Sequence, residues 1–138
     1  MPTLDPTREQ LKTFLTQYPD NQPVYMINLI KFKAKVEVTD LTGAAQYKIY
    51  AEQAQPFFEK VGGKILWKGN PSMYLIGDES DTHWDLVLIA WYPHKHAFYE
   101  MVKMEGYPAE LRTKALADSK LIPTLPLDNL TATFVNLY

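Results

Sequence analysis

Residues 24–32 read Val24-Tyr25-Met26-Ile27-Asn28-Leu29-Ile30-Lys31-Phe32, and residues 84–92 read Trp84-Asp85-Leu86-Val87-Leu88-Ile89-Ala90-Trp91-Tyr92. β-Branched, aromatic and aliphatic types dominate both stretches, which marks them as strands. Successive strand side chains point to opposite sides of a sheet, so each stretch splits by parity into two faces. In the first, Val24, Met26, Asn28, Ile30 and Phe32 lie opposite Tyr25, Ile27, Leu29 and Lys31. In the second, Trp84, Leu86, Leu88, Ala90 and Tyr92 lie opposite Asp85, Val87, Ile89 and Trp91. Each strand is therefore mostly apolar on both sides. A sheet with one wet face alternates apolar with polar residues, so these strands need covering front and back.

The segments around them supply the rest of the chain's order. Asp5-Pro6 reads as an N-cap and first helical residue, and Leu11, Phe14, Leu15 and Tyr18 recur at helical spacing until Pro19 stops the run. The first strand is expected over residues 23–32, followed by a polar loop over 33–42. Residues 43–61 carry Tyr47, Tyr50, Ala51, Ala54, Phe58 and Val61 on one helical face, with Gly62 as the left-handed residue that ends the helix. Pro56 inside this helix predicts a bend near Glu52, whose carbonyl loses its partner. Extended runs at 63–68 and 72–76 flank Gly69-Asn70-Pro71 and predict a bent strand or small hairpin. Pro93 opens a helix running to about residue 104, Pro108 restarts a helical pattern to about residue 117, and a last strand is expected at 130–137. This is the β-α-β-β-α-β order of a ferredoxin-like α+β fold with an antiparallel sheet. It would occupy residues 23–138, with residues 1–22 as a helical extension.

Two helices cover one face of such a sheet. The other would be an apolar patch of a size seldom left bare on a soluble monomer, and a second copy of the sheet is the simplest cover. A homodimer, sheet against sheet, is expected. The competing cover is the amino-terminal helix, laid with Leu11, Phe14, Leu15 and Tyr18 on that face, although one short helix is small for a four-stranded sheet.

Composition narrows the function classes. The 138 residues hold 14 Lys and Arg against 16 Asp and Glu, a formal charge of -2, so no global field favours nucleic acid or anionic lipid as a partner. The absence of cysteine removes disulfides, thiolate metal sites and thiol nucleophiles, and suits the cytoplasm. Residues 1–10 lack the apolar run of a signal peptide, and no later stretch is long enough to span a bilayer. Nucleophile elbow, Walker loop and dinucleotide-binding glycine patterns are missing too. No cofactor is expected.

The strand Met26-Ile27-Asn28-Leu29-Ile30-Lys31-Phe32, Tyr47 and Tyr50 before Ala54 and Pro56, and the turn Gly62-Gly63-Lys64 come in a distinctive order. Tyr92-Pro93, Ala97-Phe98-Tyr99, Gly106-Tyr107, Arg112 with Ala115, and Asp118-Ser119 continue it. Together they resemble the uncharacterised bacterial domain-of-unknown-function family 1330, of the dimeric α+β barrel superfamily. The resemblance covers residues 23–127 and implies both the fold and the dimer. It implies no activity, because the family has none agreed. Cofactor-free oxygenases and haem-degrading enzymes of that superfamily place an asparagine on the first strand, a tryptophan near the end of the third and a histidine on the second helix. Asn28 and Trp91 look similar to the first two. The helical region after Gly106 offers Tyr107 and Arg112 instead of the histidine.

Among single residues, Asn28 stands out as a polar side chain in mid-strand, either a site amide or one satisfied by neighbouring strands or water. Arg112, whose planar fork suits a carboxylate or enolate, is either an anion holder or the partner of a structural acid such as Asp85 or Glu110. Asn28 and Arg112 are the candidate catalytic residues. Tyr50, Trp67, Trp91 and Tyr99 are the candidate ligand-binding residues, with Tyr47 beside them, although aromatics at such spacing are also ordinary core. His83, His94 and His96 with Asp81 and Asp85 are metal-ligand types, but helical neighbours this close in sequence diverge, so no metal site is expected. The function expected is a small-molecule pocket between sheet and helices, for an aromatic or enolisable compound and cofactor-free oxidation or isomerisation. The alternative is a non-catalytic ligand-sensing or interaction module.

Overall fold

The structure, a computed structural model, describes residues 1–127. Its elements run α1 (Arg8–Gln17), β1 (Val24–Phe32), α2 (Gly43–Lys60), β2 (Lys64–Gly69), β3 (Leu86–Tyr92), α3 (Lys95–Lys103), α4 (Ala109–Ala115) and β4 (Leu116–Thr124). The strands form one sheet in the order β2-β3-β1-β4, every neighbouring pair antiparallel. This is the ferredoxin-like arrangement expected.

Register confirms the parity argument. Met26 lies opposite Ala90, Asn28 opposite Leu88 and Val24 opposite Tyr92, so the even-numbered residues of both central strands share a face. That face is the core side. Val24, Met26, Ile30, Leu88, Ala90 and Tyr92 pack there with Phe58 of α2, with Ala97, Phe98 and Met101 of α3, and with Ala115 and Leu116. α1 joins the same side, its Phe14 ring edge-on to Phe98 with centroids 6.0 Å apart. Tyr18 at its end donates to the Pro23 and Thr124 carbonyls at 2.7 and 2.9 Å. The amino-terminal helix therefore does not cover the second face, where Tyr25, Ile27, Leu29, Val87, Ile89 and Trp91 remain partly exposed.

Two glycines shape the ends of α2. Gly62 follows it with φ +84°, the left-handed conformation expected there. Gly43, at its start, lies so close to the Lys33 backbone and the Ala115 carbonyl that a Cβ would collide with both. α2 can thus begin in the crevice where β1 ends and β4 starts.

Elsewhere the structure corrects the expectation. The N-cap of α1 is Thr7, not Asp5: its hydroxyl accepts from Gln10 N at 3.0 Å, and the Gln10 side chain accepts from Thr7 N at 2.9 Å. This reciprocal capping box satisfies two donors that Asp5 would leave free. Residues 72–76 are not a strand. The helical pattern expected to residue 117 ends at Ala115, and the chain turns directly into β4. Asp118 and Ser119 are poor strand formers, but here they bond to the amino-terminal segment. Ser119 N donates to Thr3 O at 2.7 Å, and Thr3 N to Asp118 Oδ1 at 3.0 Å. Pro123 is tolerated because β4 is an edge strand. The strand expected at 130–137 lies outside the described residues.

Candidate functional site

Between α2, the lead-in to α4 and the core face of the sheet lies a cavity of about 140 Å³. Asn28 of β1, Leu86, Leu88, Ala90 and Tyr92 of β3, and Ile65 and Lys68 of β2 form its sheet side. Tyr47, Tyr50, Ala51, Ala54, Gln55 and Phe58 descend from α2, and Met101 and Tyr107 close it. The volume matches the roughly 150 Å³ of apolar space known to accept one benzene ring.

Four phenols dominate this wall. The Tyr47 and Tyr50 rings lie 5.3 Å apart, and Tyr50 meets Tyr107 edge-on at 6.2 Å. The Tyr50 and Tyr107 hydroxyls share a hydrogen bond of 2.5 Å in which either is able to donate. One bond uses one of the pair's two hydrogens, so the other is left for a third group. Burial pushes Tyr47 and Tyr107 up to about 12 and raises Tyr50 and Tyr92 further, while the nearby Arg112 charge pulls all four the other way. At neutral pH they are un-ionised donors rather than bases.

Asn28 is buried, 8% exposed, and its Nδ2 donates to Met26 O at 3.0 Å on its own strand. Arg112, 9% exposed, is held on α4 with Nη1 donating to Leu4 O at 2.9 Å, while Nη2 is buried with no partner among the described residues. The structural acids weighed for it are elsewhere: Asp85 pairs with Lys31 at 3.6 Å and accepts from Phe32 N at 2.9 Å, and Glu110 is exposed. Arg112 does not line the cavity but lies within electrostatic reach of its tyrosines.

The six expected site residues are not gathered in one place. Asn28 and Tyr50 share the cavity, with Arg112 beyond its wall. Trp67 and Trp91 lie on the other face of the sheet, because Trp67 registers with Ile89 and Trp91 with Tyr25. Trp67 is 53% exposed there, and the Lys64 amine sits 5.4 Å from the Trp91 ring. Tyr99 is part-buried on α3, with the Lys103 amine 4.5 Å from its ring, and does not line the cavity. His94 caps α3, its Nδ1 accepting from Ala97 N at 3.2 Å, while His96 stands exposed 4.0 Å from Asp20.

No family model matches the chain, nor does any curated protein. A protein of unknown function from Rhodopseudomonas palustris is 36% identical over 92% of this chain and 98% of its own, with a TM-score of 0.83. The chain belongs to the same family. More distant likenesses include SnoaB, a cofactor-independent oxygenase from Streptomyces nogalater, 17% identical over 76% of this chain and 93% of its own, TM-score 0.48. A dimeric protein of unknown function and ferredoxin-like fold from Bacteroides fragilis is 14% identical over 78% of this chain and all of its own, TM-score 0.47. No activity follows from likeness at that level.

In this family member the residues that sequence reasoning left out of the pocket include Tyr92, Tyr107 and Lys68. Tyr92 was within reach, since its parity matches Leu88 and Ala90. Lys68 was not. It reaches the cavity through a register shift between Ile65 and Trp67, which puts Ile65 and Lys68 on the core side and Trp67 on the other.

Proposed function

We propose that this protein is a homodimer that binds a small aromatic or enolisable molecule in the tyrosine-walled cavity of each subunit. The observation that carries the reading is a ring-sized space with the buried Asn28 amide at its floor and neutral phenols around it. Asn28 orients the ligand and the phenols donate to its oxygen. Arg112 sets the charge of the wall. The apolar second face of the sheet, left bare by all four helices, supports the dimer. The motif order from Met26 to Ser119 supports reading the family as number 1330, and the balanced charge and lack of cysteine favour a cytoplasmic protein. Among the described residues no helix is long and apolar enough to cross a membrane.

Two chemical outcomes remain within this reading. Cofactor-free oxidation or isomerisation needs a group that removes a proton from the bound molecule. Among the described residues neither imidazole nor carboxylate lines the cavity, and its tyrosines are held protonated. That favours the non-catalytic ligand-sensing module, with turnover confined to compounds already ionised in water. Calorimetric titration with phenol, benzyl alcohol and acetylacetone is expected to show saturable binding at one site per subunit. Ala51→Trp, which fills the cavity from the exposed side of α2, abolishes it. Absence of saturation with every compound, or binding unchanged in Ala51→Trp, would overturn the proposal.

A further inference from the structure

We infer that the cavity takes an anion: a molecule of about one ring bearing a single carboxylate or ionised enol oxygen, held with that oxygen against the Tyr47, Tyr50 and Tyr107 hydroxyls. This rests on the ligand-cavity reading and specifies the charge of the occupant. Lys68 lines the cavity and Arg112 stands beyond its tyrosine wall, while none of the described lining residues is acidic. The acids on the surrounding elements face other partners or solvent. Asp85 pairs with Lys31, Asp118 accepts from Thr3 N and Thr82, Asp5 accepts from Thr113, Glu59 accepts from Gln55, and Glu52 and Glu110 are exposed.

A buried cation is costly unless a negative charge or a full set of acceptors compensates it. Among the described residues Arg112 has a backbone acceptor for Nη1 and none for Nη2. One negative charge on the occupant supplies that compensation. The guanidinium also acts through the tyrosines. A positive charge beyond the wall draws phenol oxygens toward itself and turns their hydrogens toward the cavity, a preset array of donors for an oxyanion. The spare hydrogen of the Tyr50–Tyr107 pair is one such donor. Burial keeps the phenols protonated, so they do not repel the anion.

Arg112 is accordingly a positioning residue, and its signature is selectivity. The test compares benzoate with benzamide and benzyl alcohol by calorimetry, on wild type, Arg112→Gln, Arg112→Lys and Lys68→Gln. Benzoate is expected to bind at least about tenfold more tightly than either neutral ring, the scale of one charge-assisted hydrogen bond. Arg112→Gln and Lys68→Gln shrink that preference, Arg112→Lys restores part of it, and benzamide affinity stays level throughout. Circular dichroism identifies any variant that has not folded. If Arg112→Gln is lost in this way, exposed Lys68→Gln decides alone, and an unchanged benzoate preference overturns the inference. Equal binding of all three probes by wild type would refute the charge assignment while leaving the cavity reading intact. No binding by any probe removes both.

Discussion

The two faces of the sheet are built from the same strands and similar apolar residues, yet they meet different surroundings. On the core face Val24, Met26, Ile30, Leu88, Ala90 and Tyr92 lie beneath helices and are almost wholly buried. On the other face Tyr25, Ile27, Leu29, Val87, Ile89 and Trp91 have none of the described helices over them, and Trp67 and Ile122 are exposed. Beside that sheet, Leu75 and Ile76 in the loop after β2 are 91% and 93% exposed. Hydrophobic content thus does not distinguish the faces. What does is that the core face holds polar groups, Asn28, the phenols and Arg112, in a setting dry enough to alter their chemistry.

The strongest way to break the comparison is alkali. The cavity phenols are raised in the folded state, so between pH 10.0 and about 12 the unfolded chain loses protons that the folded one keeps. Stability contributed by this burial is full below pH 10.0 and falls as pH rises beyond it. Tyrosinate absorbance and circular dichroism are expected to change together in one cooperative step at high pH. Gradual titration of every tyrosine with the fold intact would show that the core face is wet.

Phe58→Ala removes the ring that packs edge-on against Tyr92 at 5.5 Å, and should cost about 3–5 kcal/mol in denaturant unfolding. Ile89→Asp, on the other face, is expected to leave the subunit folded while weakening its self-association about 30-fold or more, measured by sedimentation. An Ile89→Asp protein that unfolds outright would mean the second face is core within one chain. Tyr50→Phe is the mildest change. Losing the bond to Tyr107 should cost about 1 kcal/mol and weaken oxyanion ligands, with circular dichroism unchanged.

Much of this division was legible in residue order. Parity within β1 and β3 marked both faces apolar, and α2 announced itself by its aromatic stripe and Gly62. Apart from the α1 cap, set locally by Thr7 and Gln10, what failed did so where partners come from far along the chain. β4 is hidden because Asp118 and Ser119, weak strand formers, are strand residues through pairing with Lys31 and Ile30 of distant β1, and because Pro123 is acceptable only at an edge. Trp91 entered the pocket by likeness to the superfamily tryptophan and Trp67 as one of several aromatics, whereas only register says which strand faces agree with each other. Arg112 could be read as paired or unpaired until packing placed Asp85 with Lys31.

The central claim is that the second face is covered by another copy of this chain. Light scattering coupled to size exclusion at micromolar concentration tests it most directly. A mass of two chains is expected, with no binding of a hydrophobic-surface dye. A mass of one chain, still without dye binding, would contradict the account.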